Sequence, residues 1–262
     1  MAITVLAIDT TAGQCSVALR GPNACAMRIE PMIQGHSRAV LPMVDAVLAE
    51  SGIAIGAIDV IGFGSGPGSF TGLRVACGVA QGLGFGWDRP LVAVDAMRTL
   101  ALQAAQAAVG AGQSPAWLMV ALDVRMGETC HAVFRHADLA DEQAWPEPAA
   151  GPVIGSPAQA LTMFDGFSGD PAWLAGDGFQ TYPALAAWAQ QAGDRRQRPG
   201  AAVQPDAGAV ARLAALGWRQ GRGIDAALAA PDYLRDKVAL DVTEQAALRA
   251  TMKAARDAGP IR

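Results

Sequence analysis

The stretch from Asp59 to Trp87, DVIGFGSGPGSFTGLRVACGVAQGLGFGW, restricts the fold of this chain more than any other. It opens with an apolar run, Val60 to Phe63, of the length and composition of a buried strand. Gly64, Gly66, Pro67 and Gly68 then stop that strand and admit backbone angles that other residues resist. Ser69 stands where a helix N-cap is expected, because its hydroxyl can accept from an orphan N–H of the first turn. From Phe70 to about Phe85 the pattern is helical but small-sided. Gly72, Ala76, Ala80 and Gly84 recur every fourth residue, and so do Gly78, Gly82 and Gly86. A glycine inside a helix costs about 1 kcal/mol relative to alanine. Repeating that cost several times in one helix requires that something approach it closely.

A glycine-rich turn between strand and helix invites a phosphate-loop reading. A Walker loop needs a Lys after its last glycine, whereas Ser69-Phe70 follow Gly68 here. Counting from Gly66 and Gly68, the third glycine of the dinucleotide fingerprint falls on Thr71. Neither motif matches. A backbone nest for an anion and a tight structural turn feeding a packed helix remain as the two readings.

Around this centre the chain alternates strands and helices. A strand from Ile3 to Ile8 ends at Asp9-Thr10-Thr11, and strands Cys15 to Leu19 and Ala24 to Ile29 follow across the turn Gly21-Pro22-Asn23. Connections of hairpin length predict an antiparallel meander. A helix near Ser37 puts Val40, Leu41, Val44, Val47 and Leu48 on one face and stops at Gly52. Pro42 marks its first turn or bends it. After the central strand and helix come a strand Leu91 to Val94, a helix Ala96 to Val109, and a linker from Gly110 to Pro115.

Beyond the linker the chain repeats its own start. VLAIDTTAGQCSVAL and MVALDVRMGETCHAV align at a constant offset of 114, setting Asp9 on Asp123, Gly13 on Gly127 and Ala18 on Ala132. The pattern predicts two related lobes: residues 1–109, and a reduced second lobe over 110–235 whose last helix packs back on the first. That second lobe has a Pro/acid-rich loop from Asp138 to Pro152, a short helix from Pro157 and a strand at Trp173 to Ala175. It continues through the turn Gly176-Asp177-Gly178, a helix from Pro183 to Ala192, the basic loop Arg195-Arg196-Gln197-Arg198 and a helix from Asp206 to Trp218. A helical tail, 236–262, carries a capping box at Asp241 and Glu244.

Composition bounds the function. The 262 residues are 52% apolar and 17% charged, enough to bury a substantial core. Twenty basic residues against 24 acidic ones leave a net charge of −4, which argues against a large nucleic-acid footprint on this chain. Cys15, Cys25, Cys77 and Cys130 show no CxxC spacing. With no leader-like start and no uncharged run of roughly 20 residues, the expectation is a cytoplasmic globular protein without a membrane span.

The two strand–Asp–Gly lobes resemble the actin/hsp70/sugar-kinase (ASKHA) architecture, a duplicated RNase H-like α/β fold. In that superfamily the first-strand Asp and the following hydroxyls hold Mg and phosphates, which would make Asp9, Thr10 and Thr11 a vestigial phosphate site; the plain alternative is that Asp9 caps its turn. The adenosine-binding Gly-Gly segment has only Ala175-Gly176-Asp177-Gly178 as a short counterpart. More specifically, GxGPGSFTGLR from Gly64 to Arg74 resembles the signature of the bacterial TsaB family, also called YeaZ. AIDTTAGQCSVAL, His36-Ser37…Leu41-Pro42-Met43, Asp123-x-Arg125-Met126-Gly127-Glu128, Ala175-Gly176-Asp177-Gly178 and Pro231-x-Tyr233-Leu234-Arg235 support it in order along the chain. His131 departs from the pattern, in which an aromatic is usual.

The resemblance implies a non-catalytic subunit in the making of threonylcarbamoyladenosine in tRNA. It would pair with the related catalytic TsaD and, through the pair, with the ATPase TsaE, meeting tRNA only indirectly. The catalytic paralogue carries two metal-binding histidines four residues apart; here His36 stands alone with Val40 at that spacing, so neither a metal nor a catalytic residue is expected. His36 reads as a capping or packing residue. No cofactor is expected to be required by this chain, with ATP or ADP held at a partner interface. The expected partner surface joins His36, Val40, Leu41, Val44 and Leu48 to Phe70, Thr71, Leu73, Arg74, Ala76, Cys77 and Ala80. Its small-sided face, Gly72, Ala76 and Ala80, would serve homodimer and heterodimer alike; the plain alternative is that these residues let the helix lie close to its own sheet. The other functional class is an actin-like ATPase or kinase acting alone through Asp9, Thr10 and Asp123.

Overall fold

The opening apolar run forms β1 (Val5–Asp9), buried at every position because both faces of its sheet are covered. It pairs antiparallel with β2 (Gln14–Arg20), and β2 with β3 (Cys25–Pro31). On its other side β1 runs parallel to β4 (Val60–Gly66), and β4 to β5 (Leu91–Asp95), giving the order β3-β2-β1-β4-β5. The computed structural model describes residues 3–32, 34–140, 144–191, 196–197 and 204–233. The expected tail 236–262 lies outside these, as do Arg195 and Arg198 of the basic loop and the Leu234-Arg235 pair.

The same plan recurs in β6 (Trp117–Asp123), β7 (Thr129–Arg135), β8 (Ala150–Gly155), β9 (Ala172–Ala175) and β10 (Arg196–Gln197). Here β6, β7 and β8 are antiparallel, β9 runs parallel to β6 and to β10, and the order is β10-β9-β6-β7-β8. A meander followed by parallel crossovers, used twice, is the duplicated RNase H-like plan, and the chain has the actin-like ASKHA α/β fold. The second copy carries shorter helices. α1 (His36–Ser51) and α2 (Phe70–Trp87) have 16 and 18 residues, whereas α5 (Pro157–Asp165) has nine. α6 (Gly178–Thr181) and α7 (Pro183–Gln191) share the place of a single helix.

Three apolar layers hold these elements. Leu6, Ile8, Val17, Ile61 and Phe63 meet Val40, Val44 and Val47 of α1 and Ala76 and Ala80 of α2. Met119, Ala121 and Val133 meet Phe164 of α5 and Leu185 and Trp188 of α7. Between the sheets one continuous core joins Val5, Ala7 and Val60 to Leu118, Val120 and Leu122 through α3 (Ala96–Gly110) and α8 (Ala207–Arg219). The two helices are exchanged: α3 follows the first sheet yet packs mainly on β6 and β9, and α8 follows the second yet lies across β1, β2, β4 and β5. The short α4 (His136–Ala140) packs against α3.

Several expectations need correction. The stretch from Asp138 to Pro152, expected to be a Pro/acid-rich loop, carries the end of α4 and the start of β8, and the expected basic loop contributes β10. The glycines do not stop β4 at Phe63; the strand continues to Gly66, with its register to β5 shifting between Gly64 and Gly66. The gapless repeat holds for topology but not for side-chain direction. Asp9 pairs with Ser16 and shares a face with Val5 and Ala7, toward α8. Asp123 pairs with Thr129 and shares a face with Met119 and Ala121, toward α6 and α7. Alternate residues of a strand point to opposite faces, so one step of register turns the two aspartates into different layers.

Candidate functional site

The glycine loop is built onto the first-strand loop. A Cβ at Gly64 would overlap the Asp9 carboxylate, one at Gly68 the Thr11 carbonyl oxygen, and one at Gly72 the Thr10 carbonyl oxygen. Three of the central glycines are thereby explained by close contact inside the chain, Gly64 with a side chain and Gly68 and Gly72 with backbone. Hydrogen bonds complete the seal: Ser69 N donates to Thr11 O at 2.7 Å, and Thr10 Oγ1 donates to Gly72 O at 2.7 Å. The Ser69 hydroxyl accepts from Gly72 N at 3.3 Å, the N-cap expected of it.

Asp9, Thr10 and Thr11 are buried beneath this loop. Asp9 Oδ1 accepts from Thr11 N and Thr11 Oγ1, both at 2.9 Å, while Oδ2 has no partner. Burial pushes the Asp9 carboxyl up to about 7, against the pull of the two Thr11 bonds, and the Asp206 carboxylate adds to the rise. Thr10 and Thr11 spend their hydroxyls on the protein, and Gly64 closes over the unpartnered oxygen. The residues in the vestigial phosphate position therefore do not fit a phosphate or its Mg.

Asp123 has a different environment. Its Oδ1 accepts from Arg125 N at 2.9 Å and lies 2.8 Å from the Tyr182 hydroxyl, which is also 2.9 Å from Glu128 O. Asp123 N donates to Asp177 Oδ1 at 2.8 Å. Arg125, Met126 and Gly127 turn this hairpin through three successive left-handed residues, at φ 67, 60 and 78. Gly176 and Gly178 press on the Ala121 carbonyl, where a Cβ would collide. The structure thus turns the Asp177 segment into a brace for the β6 end, with Asp9 and Asp123 directed away from a shared centre.

All three histidines are buried. His36 is buried at the start of α1, its Nδ1 without a partner, and burial lowers its pKa. His131 packs edge-on to Phe164 with Nδ1 3.1 Å from Thr129 Oγ1, and burial lowers its pKa too. Among the described residues no three His, Cys, Asp or Glu side chains are grouped so as to hold a metal ion. No described helix is long and apolar enough to cross a membrane.

The α1–α2 face divides the expected partner residues into two sets. Val40, Val44, Leu73, Ala76, Cys77, Ala80 and His36 are buried in the chain's own core. The stripe of Gly72, Ala76, Ala80 and Gly84 is turned to the sheet, so the expectation that it docks a partner is corrected: the glycines bring α2 close to its own strands. Leu48 is half-buried. Leu41 at 48% and Phe70 at 45% are exposed, as are Thr71 and Arg74, whose guanidinium stacks 3.9 Å over the Phe70 ring. Along the same outer side run Gly78, Gly82 and Gly86, where an added Cβ would meet nothing within 4 Å among the described residues, and beside them Phe85, 83% exposed. This second glycine stripe was not among the expected site residues. Its signal in the sequence is Arg74 four residues before Gly78, which sets a charge on that stripe.

Comparison with known proteins agrees with this architecture. Residues 30–241 match the family model described as TsaD: tRNA N6-adenosine threonylcarbamoyltransferase. The chain is 34% identical to the tRNA threonylcarbamoyladenosine biosynthesis protein TsaB of Haemophilus influenzae, over 90% of this chain and 95% of that one. It is 32% identical to the TsaB of Escherichia coli, over 90% and 96%. The solved structure of YeaZ from Pseudomonas aeruginosa superposes with a TM-score of 0.69 at 30% identity, covering 88% of this chain and 99% of that one. With whole-length relatives of one name, the same sheet order in both halves and GxGPGSFTGLR forming the loop that seals the first strand, this chain belongs to the TsaB (YeaZ) family of tRNA threonylcarbamoyladenosine biosynthesis proteins.

Proposed function

We propose that the chain is a non-catalytic subunit of the tRNA threonylcarbamoyladenosine machinery that docks the homologous TsaD through the outer face of α1 and α2, with the ATPase TsaE acting on the pair. The observation that carries this is the second glycine stripe. An added Cβ at Gly78, Gly82 or Gly86 would meet no atom within 4 Å among the described residues, although each glycine costs a helix about 1 kcal/mol relative to alanine. Such residues are accounted for by a backbone that approaches from outside, and Leu41, Phe70 and Phe85 supply apolar area around them. A partner of the same fold offers an equivalent helix pair, and two such pairs related by a pseudo-two-fold axis make a four-helix contact. A second copy of this chain would use the same face, in competition with TsaD. In this reading ATP or ADP belongs to the joint surface, because the first-strand loop has spent its hydroxyls internally.

The test is Gly78→Arg, with Gly82→Arg as a second probe. Both positions have room in the monomer, so the melting temperature should hold. TsaD binding and self-association should be lost, and reconstituted tRNA modification should fall at least tenfold, while the chain alone hydrolyses no ATP. A folded Gly78→Arg protein that binds TsaD with unchanged affinity overturns the assignment.

A further inference from the structure

On the α8 side of the first sheet, away from α1 and α2, a cleft opens where the end of β2 meets α3, α4 and α8. Its floor is apolar: Leu102, Leu213 and Leu216 are 6%, 2% and 7% exposed. Among the described residues its rim carries Arg20 from β2 and Arg212 and Arg219 from α8, with the carboxylate of Asp138 beside them. Arg212 is engaged by the Gln106 side-chain oxygen at 2.9 and 3.1 Å. Arg219 donates through Nε to Ala215 O at 3.2 Å. Neither Arg20 nor Arg219 has a carboxylate partner among the described residues. Guanidinium groups that border a low-dielectric apolar floor attract an anion more strongly than groups surrounded by water. They also present donors in the planar fork that matches carboxylate and phosphate oxygens. Convergent polar groups over an apolar floor are the usual form of a small-molecule site.

We propose that this cleft binds a small anion with a short apolar body, its carboxylate or phosphate headgroup held by Arg20 and Arg219 and its body resting on Leu102, Leu213 and Leu216. The site lies in the layer between the sheets and is independent of the docking face on α1 and α2.

The experiment is methyl NMR of the full chain titrated separately with hexanoate, hexyl phosphate and the neutral hexanol. Saturable shifts at the Leu102, Leu213 and Leu216 methyls are expected with at least one anion, and the tighter of the two identifies the headgroup. Hexanol should bind at least tenfold more weakly than that anion. Arg20→Gln combined with Arg219→Gln should weaken anion binding at least tenfold without moving the hexanol titration. Should the double variant fail to fold, Arg219→Gln alone, at an exposed position, is expected to weaken the anion at least threefold. Absence of saturable shifts at these leucines, equal affinity for hexanol and both anions, or unchanged anion affinity in the folded variant overturns the proposal.

Discussion

Asp9 is a carboxyl group held where a charge is costly, with one oxygen bonded and the other closed in by Gly64. Its folded pKa of about 7 lies above the ordinary carboxylate value, so the folded protein keeps a proton that the unfolded chain has lost from about pH 4 upward. This contribution to stability is fully present below the unfolded pKa, declines from about pH 4 to about pH 7, and is absent above. At about 1.36 kcal/mol per pH unit the full span amounts to at most about 4 kcal/mol. Asp9→Asn keeps an acceptor for Thr11 and removes the titration. It is expected to flatten the pH dependence of the urea midpoint between pH 4 and 7, and at pH 8 to raise stability over the parent by about 1–4 kcal/mol. A slope identical to the parent's would refute the buried, titrating Asp9. That Asp9 ends its strand was legible from the apolar run before it. That it is sealed was not, because the sealing residues are 55 or more positions away in the chain.

At the scale of one element, α2 carries two glycine stripes of the same period and opposite use. Gly72 lies against the Thr10 carbonyl, whereas a Cβ added at Gly78 would meet nothing within 4 Å among the described residues. Gly72→Ala should therefore cost roughly 3 kcal/mol or more, since neither the Thr10 backbone nor the helix can give way freely. Gly78→Ala should stabilise by about 1 kcal/mol through helix propensity alone. Chemical denaturation of the pair checks this, and equal effects at both positions would mean that the stripes are not distinguished by the fold. Periodicity reveals that both stripes exist. Which one faces the sheet depends on the rotation of the helix, set by Ala76, Cys77 and Ala80 entering the core formed with Ile61 and Phe63.

For the molecule as a whole, the exchange of α3 and α8 means that the inner face of each sheet is covered mainly by a helix from the other half of the chain. α8 covers Val5, Ala7 and Val60, and a Cβ at Gly62 would collide with Ala214 of that helix. Asp206 caps the covering helix, its Oδ1 accepting from Ala209 N at 2.9 Å, and the helix start is fastened to β2 by Ala207 N donating to Ser16 Oγ at 2.9 Å. A fragment ending at Gly110 keeps all five strands of the first sheet and leaves one apolar face uncovered. It is expected to be insoluble or unfolded when expressed alone, and to become soluble when residues 111–262 are co-expressed. A well-dispersed folded fragment 1–110 would show that α8 is not needed for the first sheet. A second fastening joins Glu147 to Arg98 at 2.5 Å and to Arg222 at 3.5 Å, with Trp145 packed beside Gly217 and under the Arg222 guanidinium.

By itself the sequence determined the order of strands and helices through the first half, the N-cap at Ser69 and the C-cap at Gly52, since each depends on residues within one or two turns of one another. The repeat at an offset of 114 announced a second sheet without revealing α4, β8 or β10. Two features of the candidate site depended on register. One residue of pairing sent Asp9 and Asp123 into different layers, although their sequences align without a gap. One rotation of α2 turned Ala76 and Ala80 inward and Gly78 and Gly82 outward. Local patterns of apolar and small residues set what each segment becomes. Which face it presents is decided by long-range packing, in which α8, some 200 residues from β1, closes the layer that Val5 and Ala7 open.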